Sequence, residues 1–208
     1  MKQPHSLVQS FHGAIGIQDR MQIFHQTPVT IWLTGLSGAG KSTIAFELEA
    51  HLVSLGHACY VLDGDNIRHG LASDLGFERK DRRENIRRVA HVAQLMNDAG
   101  LIVITALISP MREDRAMARD IIGRGNFIET YLSAPVDTCA RRDPKGLYAK
   151  ARSGEIASFT GVSAPYEAPH DPELHIDTAT LTSAESVARI FAHLRRKTLA
   201  TAHHEAGA

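Results

Sequence analysis

The chain has 208 residues, 22% of them charged and 43% hydrophobic, which suits one soluble globular domain. Lys plus Arg and Asp plus Glu both number 23, so no global charge argues for nucleic acid or an anionic membrane as partner. Two cysteines cannot build a disulfide framework, and Cys59 and Cys139 read as reduced residues in or near apolar segments. No apolar run approaches the ~18 residues of a membrane span, and no apolar h-region follows Lys2, so a cytoplasmic enzyme is expected.

Residues 1–27 are polar and irregular, with His5, His12 and His25, and read as a partly ordered arm. An apolar run, Val29 to Thr34, then enters Gly35-Leu36-Ser37-Gly38-Ala39-Gly40-Lys41-Ser42, followed by Thr43. This is G-x-x-x-x-G-K-S, the phosphate-binding loop known as Walker A. Its glycines let successive N–H groups converge on phosphate oxygens, and the helix that follows adds its positive dipole end. Lys41 is expected to reach the β- and γ-phosphates of ATP, and the Ser42 hydroxyl to hold Mg²⁺. The helix runs from Ile44 to Leu55, with Ile44, Phe46, Leu48, Leu52 and Leu55 as its apolar positions and Gly56 as its stop.

Ala58 to Leu62 reads as a buried strand ending in Asp63-Gly64-Asp65-Asn66, where ligands of open α/β sheets sit. Asp63 and Asp65 could orient Mg²⁺-bound water or take a proton from an attacking hydroxyl, while a helix cap is the alternative for Asp65. Asp81 and Glu84 have capping-box spacing, and Ile86, Val89, Ala90, Ala93 and Met96 follow at helical spacing. Arg82 and Asn85 share one face of that helix and could grip an anionic, ribose-containing acceptor. Arg87 and Arg88 read as a solvated face.

Leu101–Leu107 is a strand, Arg112–Ile122 a helix, Phe127–Leu132 a strand, and 136–142 a helix. From Asp143 to Pro169 the chain is rich in Gly, Pro, Ser and basic residues, which suggests a mobile lid that excludes water. Leu174–Asp177 is the last strand; Thr182 and Glu185 cap a final helix through Leu194, and 198–208, with His203 and His204, reads as a frayed tail. The alternation predicts an α/β fold of the P-loop NTPase type, a parallel sheet of about five strands flanked by helices on both faces, within one unit at 28–197. The twelve histidines show no metal-ligand spacing, so no protein-bound zinc is expected.

Beyond the loop, several segments resemble adenylyl-sulfate kinase (APS kinase). They are Asp63 to Leu71, Asp74 to Phe77, Asp81-Arg82 with Glu84 to Arg88, Ile108-Ser109-Pro110, Arg142 to Tyr148, Phe159-Thr160-Gly161 and Pro165 to Pro169. The resemblance runs in matching order from about residue 28 to 195, with Leu107, Met111 and Ala140 departing from residues frequent in the family. It implies transfer of the γ-phosphoryl of ATP to the 3′-hydroxyl of adenosine 5′-phosphosulfate (APS), giving PAPS and ADP. It also places Asp63 and Asp65 at the transfer site, with Arg68, Arg82 and Asn85 on the phosphosulfate and ribose. Phe77 and Phe159 would clamp the adenine, Lys145 would approach the phosphates from the lid, and Ile108-Ser109 would line the acceptor pocket. Ser109 stands where the family has a proposed phosphoserine, but direct transfer needs no such step, and a lining role is the expectation. A homodimer is implied, and association with an ATP sulfurylase is left open. The alternatives are a P-loop kinase for another small metabolite and a non-catalytic domain that binds ATP or PAPS.

Overall fold

The computed structural model describes residues 13–143 and 145–196. The expectations placed on His5, His12, Pro144 and the 198–208 tail lie outside those residues.

Five strands form one parallel sheet: β1 (Thr30–Thr34), β2 (Cys59–Asp63), β3 (Ile102–Ala106), β4 (Phe127–Ser133) and β5 (Leu174–Asp177), in the spatial order β2-β3-β1-β4-β5. Residue alternation divides the core between the two faces of the sheet. Ile31 and Leu33 of β1, Ile102 and Ile104 of β3, and Ile128 and Leu132 of β4 pack with α2 (Lys41–Ser54) and α8 (Ser183–Leu194). Trp32, Val103 and Phe127 point the other way, toward α4 (Arg79–Asp98) and α5 (Arg112–Ile122). The registers Leu33↔Ala106 and Asp63↔Ala106 level the ends of β1, β3 and β2, so the residues leaving all three strands emerge at one edge. That edge carries the site. Among the described residues no helix is long and apolar enough to cross a membrane.

The final helix matches its sequence signal: Thr182 Oγ1 accepts from the Glu185 N–H, and Glu185 reaches back to the Thr182 N–H. Three other expectations need correction. The helix expected to start at Asp81 begins at Arg79 with Glu78 as its N-cap, and no side chain caps it. On α2, Phe46 and Leu55 are about half exposed, because the buried stripe runs through Ile44, Ala45, Leu48 and Leu52. The stretch read as irregular before residue 28 holds α1 (Ile17–Phe24), which docks on the end of α4 where Arg20 donates to the Asp98 carbonyl. Gln26 anchors the next turn by donating to the carbonyls of Ala58 and Gly100, both at 2.8 Å. Cys139 is buried, and Cys59 is half-buried.

Candidate active site

The phosphate loop joins β1 to α2. Gly38 has φ +77°, and a Cβ there would lie 2.7 Å from the Cys139 carbonyl oxygen of α6 (Val136–Arg142), so only glycine fits the turn. Gly40, with φ +89°, starts α2 without a side-chain cap, which leaves the first N–H groups of the helix free to face an anion. Lys41 folds back over the loop and donates to the carbonyls of Gly35 (2.9 Å) and Leu36 (2.7 Å). Burial pushes its ammonium down to about 8, against the partial opposition of Asp63 and Asp65.

The end of β2 meets this loop. Ser42 Oγ donates to Asp63 Oδ2 at 2.6 Å. Asp63 Oδ1 accepts from the N–H groups of Asp65 (3.0 Å) and Asn66 (3.4 Å), and so caps the short helix α3 (Gly64–Arg68). The capping role considered for Asp65 therefore belongs to Asp63. Gly64 sits in a tight spot, where a Cβ would stand 3.0 Å from Leu107 Cδ2 and 3.2 Å from the Ala106 carbonyl oxygen. Asp65 points outward and pairs with Lys145. Both side chains are more than half exposed, and such pairs contribute about 0–1 kcal/mol.

Beside Asp65 lies a pair of neighbouring guanidinium groups, Arg68 and Arg82. Arg68 stacks over the Phe77 ring at 4.3 Å and donates to the carbonyls of Leu75 and Gly76. Arg82 donates to the Phe77 carbonyl (2.7 Å), Thr160 Oγ1 (2.6 Å) and the Ser158 carbonyl (2.7 Å). Burial lowers both guanidinium pKa values, and Arg68 adds charge repulsion on Arg82, a pairing that an anion would relieve. Asn85 is buried, and its Oδ1 has no hydrogen-bond partner among the described residues. Arg87 and Arg88 are engaged elsewhere; both pair with Glu84, and Arg88 also holds Asp74.

The exit of β3 lies beside the end of β2. Thr34 Oγ1 donates to the Ile108 carbonyl (2.8 Å), and Trp32 Nε1 donates to Ser109 Oγ (3.1 Å), leaving Ser109 buried. The two phenylalanines differ. Phe77 is 63% exposed, whereas Phe159 is 7% exposed, with its ring edge-on to Tyr148 of α7 (Leu147–Arg152). Sequence reasoning missed Tyr148, whose hydroxyl donates to the Ser37 carbonyl at 2.8 Å, and Tyr166, which bonds Thr34 Oγ1 at 2.9 Å. Both link the 143–169 segment to residues more than a hundred positions away, and no local pattern signals that.

Strand order, phosphate loop and acidic β2 end define a P-loop NTPase-type fold, with the Arg68–Arg82 pair following the β2 turn. Residues 27–177 match the adenylylsulphate kinase family. The chain is 52% identical over 186 residues to the adenylyl-sulfate kinase of Vibrio cholerae, covering 89% of this chain and 86% of that one. It is 58% identical over 178 residues to the bifunctional enzyme NodQ of Rhizobium tropici, covering 86% of this chain but only 28% of that longer protein. Among solved structures, the Mycobacterium tuberculosis APS kinase in complex with AMPPNP and APS superposes with a TM-score of 0.79 at 46% identity, covering 81% of this chain and 98% of that one. A gluconokinase from Sinorhizobium meliloti shares the fold, with a TM-score of 0.53 at 20% identity, covering 82% of this chain and 93% of that one. The chain belongs to the adenylylsulphate kinase family.

Proposed function

We propose that the protein transfers the γ-phosphoryl of ATP to the 3′-hydroxyl of adenosine 5′-phosphosulfate, giving PAPS and ADP. The observation that carries this reading is the meeting of two sites at Asp63: its carboxylate touches Ser42 at the phosphate loop and opens the α3 turn that leads to Arg68 and Arg82. The kinase unit is proposed to be 28–197, with 143–169 as its lid; the family match over 27–177 covers most of that span.

Residues 35–43 hold the ATP phosphates, and Lys41 exchanges its two loop carbonyls for phosphate oxygens. The Ser42 hydroxyl and Asp63 carboxylate are hard oxygen donors side by side, which suits Mg²⁺ bound through one or two protein oxygens, substrate phosphates and water. When bound, Mg²⁺ neutralises charge on the phosphates. Arg68 and Arg82 hold the phosphosulfate, and the unpartnered Asn85 Oδ1 accepts a hydroxyl or amine of the nucleoside. Phe77 stacks on the adenine from its exposed side; the clamp role expected for Phe159 would need its ring to leave the core contact with Tyr148. Ile108-Ser109 line the pocket. Asp63 takes the 3′-hydroxyl proton, with Asp65 next to it in the turn, and Lys145 leaves its weak pair with Asp65 to meet the phosphates. Tyr148 and Tyr166 anchor the lid so that closing excludes water.

A coupled ADP-release assay tests the reading: turnover is expected with APS and little with gluconate, shikimate or nucleoside monophosphates. Gluconate is the informative control because the fold is shared with a gluconokinase. Faster turnover of gluconate would refute the acceptor. The protein is further proposed to be a homodimer, which light scattering tests. Adding an ATP sulfurylase to the same sample tests that association, which stays open.

A further inference from the structure

The acceptor reading makes the exit of β3 a wall of the acceptor pocket, and the inference that follows rests on that reading. Ser109 has φ +39°, in the left-handed region that L-residues with a Cβ avoid. Such a conformation persists only where the surroundings over-determine it. Two of those surroundings are on β1: Trp32 on the Ser109 hydroxyl and Thr34 on the Ile108 carbonyl.

The third is Arg115 of α5, which is 2% exposed. Its guanidinium bonds three segments distant in sequence. NH1 donates to the Ser109 carbonyl at 2.7 Å, Nε to Glu129 Oε1 of β4 at 2.6 Å, and NH2 to the Glu167 carbonyl at 2.8 Å. Glu167 closes the lid segment and is bonded to the same loop again, through its N–H to the Pro110 carbonyl (2.8 Å) and through Oε2 from the Arg112 N–H (2.9 Å). The side chain is therefore a junction between the acceptor wall and the end of the lid.

Stability alone is a weak reason to keep a charge there, because a buried ion pair often does no better than an apolar packing of the same volume. What the guanidinium adds is direction. Its rigid planar fork aims separate donors at fixed angles, which an ammonium cannot do.

We propose that Arg115 is a positioning residue for the acceptor: it fixes the Ser109 carbonyl, and with it the Ile108-Ser109 wall, against the strap at Glu167. Arg115 touches no substrate. Its influence falls on APS and not on ATP, since the phosphate loop makes none of these bonds.

The test is steady-state kinetics, with each substrate varied in turn, on the wild type, Arg115→Lys and Glu129→Gln. Lysine keeps a charge opposite Glu129 but cannot span the two carbonyls, so KM for APS is expected to rise about tenfold, as misplaced binding groups do. KM for ATP should stay within about twofold, since none of the three bonds reaches the phosphate loop. Glu129→Gln leaves the carbonyl bonds but loosens the fork, and should show a smaller rise confined to APS. Unchanged KM for APS in folded Arg115→Lys, or equal rises for both substrates with a lower Tm, would overturn the positioning role. Should Arg115→Lys not fold, unchanged KM for APS in Glu129→Gln would overturn it as well. A wild type that does not turn over APS would refute the acceptor reading and this inference with it, an outcome distinct from an active wild type with silent variants.

Discussion

Ser42 and Asp63, 21 residues apart in sequence, meet at a hydrogen bond of 2.6 Å between the first turn of α2 and the end of β2. The bond joins the phosphate loop to the acidic turn that opens α3. The remaining carboxylate oxygen of Asp63 is engaged by two N–H groups of α3, so its orientation is fixed before any ligand arrives. Preorganisation of this kind avoids a cost at the moment of reaction.

Asp63→Asn separates the two duties of that residue. Asparagine caps a helix about as well as aspartate, so α3 should persist and Tm should change little. The amide cannot take a proton, and kcat should fall about 10²–10⁴-fold, the usual contribution of a positioned base. ADP release and a thermal melt on the same sample check both halves. Retention of a tenth or more of kcat would remove Asp63 as the base.

Lys41 gives a pH signature. Burial holds its folded-state value at about 8 against 10.5 for the free side chain. Between those values the unfolded chain binds more protons than the folded one, so this group makes the empty enzyme more stable as pH rises through that window, and contributes no slope below it. Bound phosphates favour the ammonium, so nucleotide binding should take up protons in the same window, and affinity should fall as pH rises above 8. Calorimetry of ADP binding at pH 8.5 in two buffers of different ionisation enthalpy measures the uptake. Lys41→Met should abolish it, and proton release by the wild type would contradict the assignment.

Much of the donor side was legible because its parts are contiguous: loop, lysine, hydroxyl and helix follow one another from Gly35. The Asp63–Asn66 turn was legible because it ends a clear apolar run. What escaped is non-local. Phe46 and Leu55 look like core residues by spacing, but which stripe of α2 is buried depends on where α8 packs. Asp81 and Glu84 have capping-box spacing, yet the preceding turn carries the helix back to Arg79. Arg115 reads as one more charge on a polar helix; only the fold shows it buried against Glu129. Tyr148, Tyr166 and Thr160 sit in a stretch without apolar period, and their bonds to Ser37, Thr34 and Arg82 appear only once the chain has returned to the sheet edge.

Arg82 ties the Phe77 turn to the 143–169 segment by three bonds, one to the Phe77 carbonyl and two to Ser158 and Thr160. Its removal should therefore act on both. Charge-assisted hydrogen bonds contribute about 1.5–3 kcal/mol each, so losing one to APS predicts roughly 10–100-fold weaker APS binding in Arg82→Ala. ATP binding should change far less. In the empty enzyme, proteolytic cleavage between 153 and 159 should accelerate, because the lid loses its tether. Equal losses for ATP and APS would show that Arg82 supports the fold and does not read the acceptor.

Ser109 decides whether the phosphoryl group travels directly. A serine nucleophile needs an adjacent base. The Ser109 hydroxyl instead accepts from Trp32 Nε1 and faces the Leu107 carbonyl at 3.4 Å, and neither group removes a proton. We therefore propose direct transfer, in keeping with the lining role of Ser109. Ser109→Ala should keep kcat within about threefold, since positioning and charge stabilisation remain in place. The same variant leaves the buried Trp32 N–H without its acceptor, which costs about 1–3 kcal/mol, so Tm should fall while turnover survives. Rapid quenching with γ-labelled ATP should find no phosphoserine that forms and decays as fast as PAPS appears. A kinetically competent phospho-Ser109, together with an inactive but folded Ser109→Ala, would establish the covalent route instead.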